Sequence, residues 1–289
     1  MDTQPIAEVD AVLASNTYGK SRVRLMKLAR RPDRHDLKEI TFQILFQGDF
    51  AACYESGDNS KILPTDTIKN TVYALARKHE IAAIEDFAQR LIEHFLANNP
   101  QVSEVRVEMT EHLWHRVEDT AFTREAEKRT AIVTGTRDAT SVEAGLDDLV
   151  ILKSADSAFE GYIQDPYTTL KETKDRIFAT AVRAAWLYAP RQLDYNALWD
   201  AIRQTIIATF ALHRSLSVQH TLHAIGQEVL NRFSDVREIR LSMPNKHALL
   251  ANLEPFGLDN PNEVFIPTDE PSGYIEGTLV RRAATSHEK

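Results

Sequence analysis

The chain has 289 residues and carries 34 Lys and Arg against 42 Asp and Glu, which gives a formal net charge of −8 at pH 7. An acidic surface repels nucleic acid and anionic lipid, so neither is an expected partner. Hydrophobic residues make up 43% and charged residues 26%, which is typical of a globular chain with a core and excludes an intrinsically disordered protein.

The first half of the chain opens with two stretches of alternating apolar residues, which predict a β-hairpin with one buried face. The alternating positions are Val23, Leu25, Ile40, Phe42, Ile44 and Phe46. A turn is predicted at residues 31–36. A helix is predicted from residue 66 to 78, with Thr65 as its N-cap. An apolar stripe with helical spacing predicts a second helix over residues 84–96, and strands follow at 105–109 and 131–133.

The second half repeats this order. Strands are predicted at residues 149–152, 158–163 and 177–188, and helices at 195–212 and 218–233. Closing strands are predicted at 239–243 and 274–280, with a loop at 255–262 between them. Antiparallel strands with paired helices indicate an α+β fold in two modules, residues 1–140 and 141–289. Long antiparallel edges favour pairing with another subunit, so an oligomer is expected.

One cysteine, Cys53, leaves no internal disulfide and no cysteine-based zinc site. Such a chain fits a reducing compartment. Residues 1–14 do not resemble a signal peptide, and no apolar stretch is long enough to cross a membrane. The last three residues are not a peroxisomal address of the Ser-Lys-Leu type. The expected location is the cytoplasm.

Four polar segments are candidates for a site. Lys20 stands just before the opening strand, and Thr65 and Asp66 stand at a helix N-terminus, where free N–H groups can bind an anion or a carbonyl oxygen. Each also has a plain structural interpretation, as a solvated lysine and as a helix start.

The other two candidates come from the second half. Phe159 and Arg176 would suit a flat heteroaromatic anion, because phenylalanine stacks on a ring and arginine presents a planar fork to its edge. Their separation in sequence forms no motif, and core and surface roles are the plainer alternatives. Asn245 and His247 are two apart, so they point to the same side of an extended chain.

A metal site has little support from spacing. His112 with His115 and His220 with His223 are each three apart, but no third ligand stands at a convincing distance. No G-x-G-x-x-G, Walker A or G-x-S-x-G sequence is present, so nucleotide-binding and hydrolase functions lack support. The residues alone indicate an oligomeric α+β protein with scattered polar candidates.

The same segments, in this order, resemble the urate oxidase (uricase) family over about residues 18–282. The matching segments are Tyr18-Gly-Lys-Ser-Arg-Val-Arg-Leu25, Thr65-Asp-Thr-Ile-Lys-Asn-Thr71, Asp165-Pro-Tyr-Thr-Thr-Leu-Lys-Glu-Thr-Lys-Asp-Arg176, Ser217-Val-Gln219, Pro244-Asn-Lys-His247 and Asp259-Asn-Pro-Asn-Glu-Val-Phe265. The resemblance implies two tandem tunnelling-fold (T-fold) modules, each a four-stranded antiparallel sheet with two helices. It also implies dimers that close the sheets into a barrel, and a homotetramer with active sites at subunit interfaces.

The resemblance further implies a role for each candidate. Phe159 would stack on urate, while Arg176, the Gln219 side chain and the Val218 backbone would grip one edge of it. Thr65 and Asp66 would reach the other edge from the neighbouring subunit. The implied proton relay consists of Lys20, Thr65 and His247. Asn245, with Thr65, would hold O₂ and later water.

The reaction implied by the family is oxidation of urate by O₂ and water to 5-hydroxyisourate and hydrogen peroxide, with no metal or other cofactor. Two alternatives stay open at this point. One is a pterin- or guanine-acting enzyme of the same fold, and the other is an inactive purine-binding protein.

Overall fold

The computed structural model describes residues 11–282, which form a large antiparallel sheet with helices packed on one face. The strands are β1 (Tyr18–Arg30), β2 (His35–Gly48), β3 (Val102–Glu118), β4 (Ala121–Gly135), β5 (Thr140–Lys153), β6 (Phe178–Tyr188), β7 (Val236–Ser242), β8 (Asn245–Leu250), β9 (Phe265–Gly273) and β10 (Glu276–Val280). The helices are α1 (Ala51–Glu55), α2 (Thr65–Lys78), α3 (Ile84–Asn98), α4 (Tyr195–Leu212) and α5 (Val218–Arg232).

The main path of the sheet runs β1-β2-β3-β4-β5-β6-β7-β10, and each neighbouring pair is antiparallel. Two sets of four strands therefore stand side by side, joined where β4 pairs with β5. Each set follows the order hairpin, helices, strands, so the predicted α+β class and its repeated plan are confirmed. Within residues 11–282, β1 and β10 are the two outer strands of this path. The division at residues 140 and 141 stays a prediction.

The alternation of apolar residues in the strands, and their helical spacing in the helices, account for these elements. On β2, Ile40, Phe42, Ile44 and Phe46 are fully buried, while the residues between them face away from the core. The predicted apolar stripe of α3 is buried along its whole length. In the second half, α4 begins behind Asp194, whose carboxylate accepts a hydrogen bond from the Ala197 N–H at 3.0 Å. Sequence patterning therefore sets which face of each element enters the core.

The structure differs from the sequence predictions at four places. Thr65 is not an N-cap: α2 begins at Thr65 behind Pro64, and no side chain caps that end. Residues 158–163 do not form a strand, because Gly161 turns the chain at φ 71° and only Phe159 makes a β-bridge, to Thr173. The third is the hairpin of β8 and β9, and the fourth is the short helix α1.

That hairpin and the short α1 were not predicted. The β9 strand contains Pro267 and Pro271, which weaken a strand signal. A short 3₁₀ helix, Glu254–Phe256, lies in the predicted 255–262 loop. The helices within residues 11–282 are all too short or too polar to cross a bilayer. The prediction made on residues 1–14 lies mostly outside the described part, and the one made on the last three residues lies wholly outside it.

Candidate active site

A cleft of about 780 Å³ opens between β8, the segment after β5 and the segment leading into β6. Four of the sequence candidates line it: Phe159, Arg176, Asn245 and His247. They come from widely separated parts of the second half of the chain. The fold therefore brings together residues that sequence spacing could not connect.

Backbone pairing places Phe159 beside Arg176. The Phe159 N–H donates to the Thr173 carbonyl at 2.8 Å, and the Thr173 N–H donates back at 3.1 Å. The Asp175 carboxylate accepts from the Ser157 N–H at 3.2 Å. As a result, the Arg176 guanidinium carbon lies 5.4 Å from the centre of the Phe159 ring, within cation–π range.

Arg176 is a half-buried cation without an ionic partner among residues 11–282. Its Nε is buried and makes no hydrogen bond within the described chain. Burial alone lowers the pKa of the guanidinium from its ordinary value. A desolvated charge with unsatisfied donors is unfavourable by itself, so this arginine is well suited to a planar anion with acceptors along one edge.

Asn245 and His247 stand on the same side of β8, as their spacing predicts. The Asn245 Nδ2 and His247 Nδ1 atoms are 3.5 Å apart. Asn245 pairs with Thr180 of β6, so the amide–imidazole pair is carried on the sheet and not on a free loop. The pair supplies groups that can hold a small polar molecule and move a proton.

Lys20 lies on the first half of the chain, at the beginning of β1. A tight strand contact requires Gly19, because a Cβ there would lie 1.8 Å from the Ile44 carbonyl oxygen. Tyr18 packs edge-on against Phe46 and Phe50, and its hydroxyl accepts from the Leu63 N–H at 3.0 Å. This bond ties the segment that carries Lys20 to the loop that leads into α2.

Thr65 and Asp66 occupy the exposed first turn of α2. Lys69 donates to the Asp66 carboxylate at 2.6 Å and Asn70 does so at 2.9 Å. The pKa of Asp66 lies below its usual value, chiefly because of the Lys69 hydrogen bond, and the charge of Lys20 adds to the effect. Lys20 therefore lies within electrostatic range of Asp66. Neither these two residues nor Thr65 lines the Arg176 cleft.

Val218 and Gln219 form the beginning of α5. Val218 is buried and Gln219 is exposed, and neither lines the cleft around Arg176. The turn before them is nevertheless bound to the Phe159 segment. Ser215 donates its N–H to the Asp156 carbonyl at 2.9 Å and accepts from the Ala158 N–H at 2.8 Å.

The histidine pairs considered as metal ligands have other contacts. His112 lies 3.0 Å from Thr41 Oγ1 and 2.8 Å from an Arg124 nitrogen. His220 faces His213 across a turn. Among residues 11–282, no three His, Cys, Asp or Glu side chains gather in a way that could hold a metal ion.

Comparison with known proteins decides the family. The family model for uricase matches residues 16–140 and again residues 142–276. The chain is 41% identical to the uricase of Arthrobacter globiformis over 276 residues, covering 94% of this chain and 91% of that one. It is 40% identical to the uricase of Dictyostelium discoideum over 281 residues, covering 94% and 98%.

The chain belongs to the uricase family. The crystal structure of Arthrobacter globiformis uricase superposes with a TM-score of 0.91 at 40% identity, covering 97% of this chain and 98% of that one. The resemblance stated from the sequence segments is therefore confirmed, as is the interpretation of the chain as an enzyme of urate oxidation. The comparisons do not favour a pterin- or guanine-acting enzyme or an inactive purine binder.

Sequence reasoning missed three supporting residues of this uricase-family site. Asp175 fixes the Ser157 backbone, and Tyr162 stacks on Phe159 with ring centres 4.8 Å apart. Ser215 joins the α5 turn to the Phe159 segment. Asp175 lies within one of the matched segments, next to Arg176, but nothing in its spacing indicates a backbone partner eighteen residues earlier.

Proposed function

We propose that the cleft beside Arg176 binds urate and that the chain oxidises it there with O₂. The observation that carries this proposal is Arg176 itself, a half-buried cation next to the Phe159 ring, whose buried Nε has no hydrogen-bond partner within residues 11–282. A flat anion would satisfy the guanidinium with its edge acceptors and cover the aromatic ring with its face. Urate has both properties.

Phe159 stacks on the urate ring, and Arg176 donates to one edge of it. The Gln219 side chain grips the same edge, helped by the Val218 backbone. Gln219 is exposed at the start of α5, so its side chain is free to take this role. Hydrogen bonds to a buried edge at several points reject purines that lack the matching groups, because each unmatched donor or acceptor would be left unpaired.

Thr65 and Asp66 approach the opposite edge of urate from a neighbouring subunit. Within residues 11–282 these two residues and the cleft belong to different halves of the chain and do not line a common cavity. The outer strands β1 and β10 leave hydrogen-bonding edges, and Met26 and Leu28 are exposed on β1. Pairing of these edges between two copies closes a barrel, and two such dimers form a homotetramer.

Lys20, Thr65 and His247 form the proton relay. Lys20 lies near Asp66 and Thr65, while His247 lies on the cleft, so the relay is complete only when two subunits meet. The Thr65 hydroxyl is suited to this role because it does not cap α2. Asn245, together with Thr65, holds O₂ above the ring and later holds the water that attacks it.

The substrate supplies the electrons. Loss of a second proton makes urate a better donor, and O₂ takes two electrons and two protons to become hydrogen peroxide. Water then adds to the oxidised ring, which gives 5-hydroxyisourate. The reaction is urate, O₂ and water to 5-hydroxyisourate and hydrogen peroxide, without a resident metal or flavin. The protein positions the reactants, transfers protons and stabilises charge.

We place the protein in the cytoplasm. Cys53 is the single cysteine of the chain, and its free thiol donates to the Asn59 side chain at 3.1 Å. A chain held together without disulfides fits a reducing compartment.

Arg176→Ala tests the binding proposal. We expect this substitution to raise the urate Kd by about 10- to 100-fold, since hydrogen bonds to a charged group contribute about 1.5–3 kcal/mol. The effect on kcat should be much smaller. Arg176→Lys keeps the charge but not the planar fork, so it should give an intermediate Kd. Anaerobic urate titration measures Kd without turnover. An unchanged Kd in the alanine variant would place the edge clamp elsewhere.

A further inference from the structure

Two histidines face each other across the turn between α4 and α5. His213 follows the last residue of α4, and His220 is the third residue of α5. The His213 Nε2 and His220 Nδ1 atoms are 3.3 Å apart, and the ring centres are separated by 4.4 Å at an angle of 67°. The pair therefore spans the whole turn.

The contacts of His220, an exposed residue, call for a hydrogen-bond acceptor at its Nδ1. The Leu216 backbone N–H also points at the His220 Nδ1, at 3.4 Å. A backbone N–H can only donate, so Nδ1 must accept and carries no proton. His213 then donates from Nε2 to the same atom. The arrangement holds only while His220 is neutral, with its proton on Nε2.

The surroundings disfavour a positive charge on either histidine ring of the pair. Lys153 of β5 donates to the His213 carbonyl oxygen, and the negative charges of Asp156 and Asp175 act on Lys153. The pKa of His213 lies below its usual value, mainly through burial and then through His220 and Lys153. His220 also stands in the first turn of α5, where the helix dipole disfavours a cation.

This turn leads directly into the residues assigned to the urate edge. Val218 and Gln219 immediately precede His220. The Ser217 hydroxyl caps α5 by accepting from the His220 N–H at 3.1 Å. Ser215 bonds to both Asp156 and Ala158, next to Phe159. A change in the histidine pair is therefore transmitted to the urate-edge residues through one short segment.

We propose that the neutral His213–His220 pair positions Val218 and Gln219 for urate binding, and that protonation of His220 in acid releases the turn. This inference rests on the proposed role of Val218 and Gln219 in urate binding. His220 is thus a positioning residue that makes substrate affinity depend on pH. It does not touch the reacting atoms, so kcat should be affected far less than Kd.

The test compares anaerobic urate Kd and aerobic kcat between pH 5.5 and 8.5 in four forms of the full chain. They are the wild type, His220→Asn, His220→Phe and the control His223→Asn, which alters an exposed histidine one turn further along α5. Asparagine offers an oxygen near the position of Nδ1 and does not titrate in this range, whereas phenylalanine keeps a ring without an acceptor. Any effect of pH on the ionisation of urate is the same for all four forms, because all of them bind the same substrate. It therefore does not contribute to the differences in Kd between them.

Protonation of His220 removes the acceptor at Nδ1, so the binding-competent fraction, and with it the affinity, should fall towards pH 5.5 in the wild type and the His223→Asn control. The His220→Asn variant should keep the wild-type Kd of pH 8 and lose this acid weakening. The His220→Phe variant should bind weakly at every pH.

An asparagine variant with the wild-type pH profile, or an acid effect confined to kcat, would overturn the inference. If that result accompanied normal urate turnover by the wild type at pH 8, the proposed function would stand and only the inference would fail. A wild type that neither binds nor oxidises urate at pH 8 would overturn both.

Discussion

Replacing Lys20 by methionine should lower kcat for urate by about 10²–10⁴-fold, the usual contribution of a positioned acid–base group. Methionine keeps an unbranched chain of similar reach but cannot accept or donate a proton. Urate would still be held by Arg176, Phe159 and Gln219, so KM should change little. Steady-state kinetics of urate loss measure both parameters, and size-exclusion chromatography checks that assembly is intact.

Lys78→Met is the matched control for this prediction. Lys78 is exposed in the last turn of α2, the helix whose first turn carries Thr65 and Asp66. It should leave kcat and KM unchanged. If the Lys20 variant kept the wild-type kcat in the assembled enzyme, the proton relay would have to begin at another group.

Arg129→Met should destabilise the folded chain by about 3–5 kcal/mol, the typical cost of removing one partner from a buried ion pair. Arg129 and Glu85 are almost fully buried, with their closest nitrogen and oxygen 2.6 Å apart. Arg129 also donates to the Asn196 side chain at 2.7 Å and packs against the Trp199 ring. It thereby joins α3 and β4 to α4, and its loss leaves the Glu85 carboxylate unpaired.

The double variant Glu85→Leu with Arg129→Met is the control. Removing both charges should recover most of the lost stability, since an apolar pair of similar volume avoids the desolvation penalty. Denaturant unfolding at one fixed subunit concentration measures the free energies, because assembly adds to apparent stability. A double variant as unstable as the single one would show that the loss comes from packing and not from the unpaired charge.

The loss in free energy of unfolding caused by Arg129→Met should also depend on pH. Burial raises the pKa of Glu85, and Arg129 acts against this shift. Without Arg129 the folded-state pKa rises further above the unfolded value, so the folded variant retains a proton that the unfolded chain releases. Stability then falls as pH rises towards the folded-state pKa. The difference from wild type should therefore be larger at pH 8 than at pH 5.

The fold could be predicted well where one face of an element is buried. The apolar spacing of α3 and the alternation on β2 are set directly by burial, and α4 spans residues Tyr195–Leu212, as predicted. The hairpin of β8 and β9 was missed because its residues are partly exposed and β9 contains two prolines. Thr65 has the chemistry of an N-cap, but the helix includes it as its first residue.

The candidate site could be chosen only through the family resemblance. Phe159 and Arg176 lie together because of a backbone bridge between Phe159 and Thr173, which no spacing rule contains. Lys20, Thr65 and Asp66 gather on the other half of the chain, so their meeting with the cleft requires a second subunit. The contact between His213 and His220 depends on the shape of the turn between two helices, which sequence periodicity does not describe.

Urate turnover by purified, metal-stripped protein in air is the direct test of urate oxidation by this chain without a cofactor. Urate absorbance, dissolved O₂ and hydrogen peroxide are followed in the same sample, with and without a chelator. We expect one urate and one O₂ to disappear for each peroxide formed, at a rate that the chelator does not change. Urate binding without O₂ uptake, or turnover that returns only when a metal is added back, would contradict it.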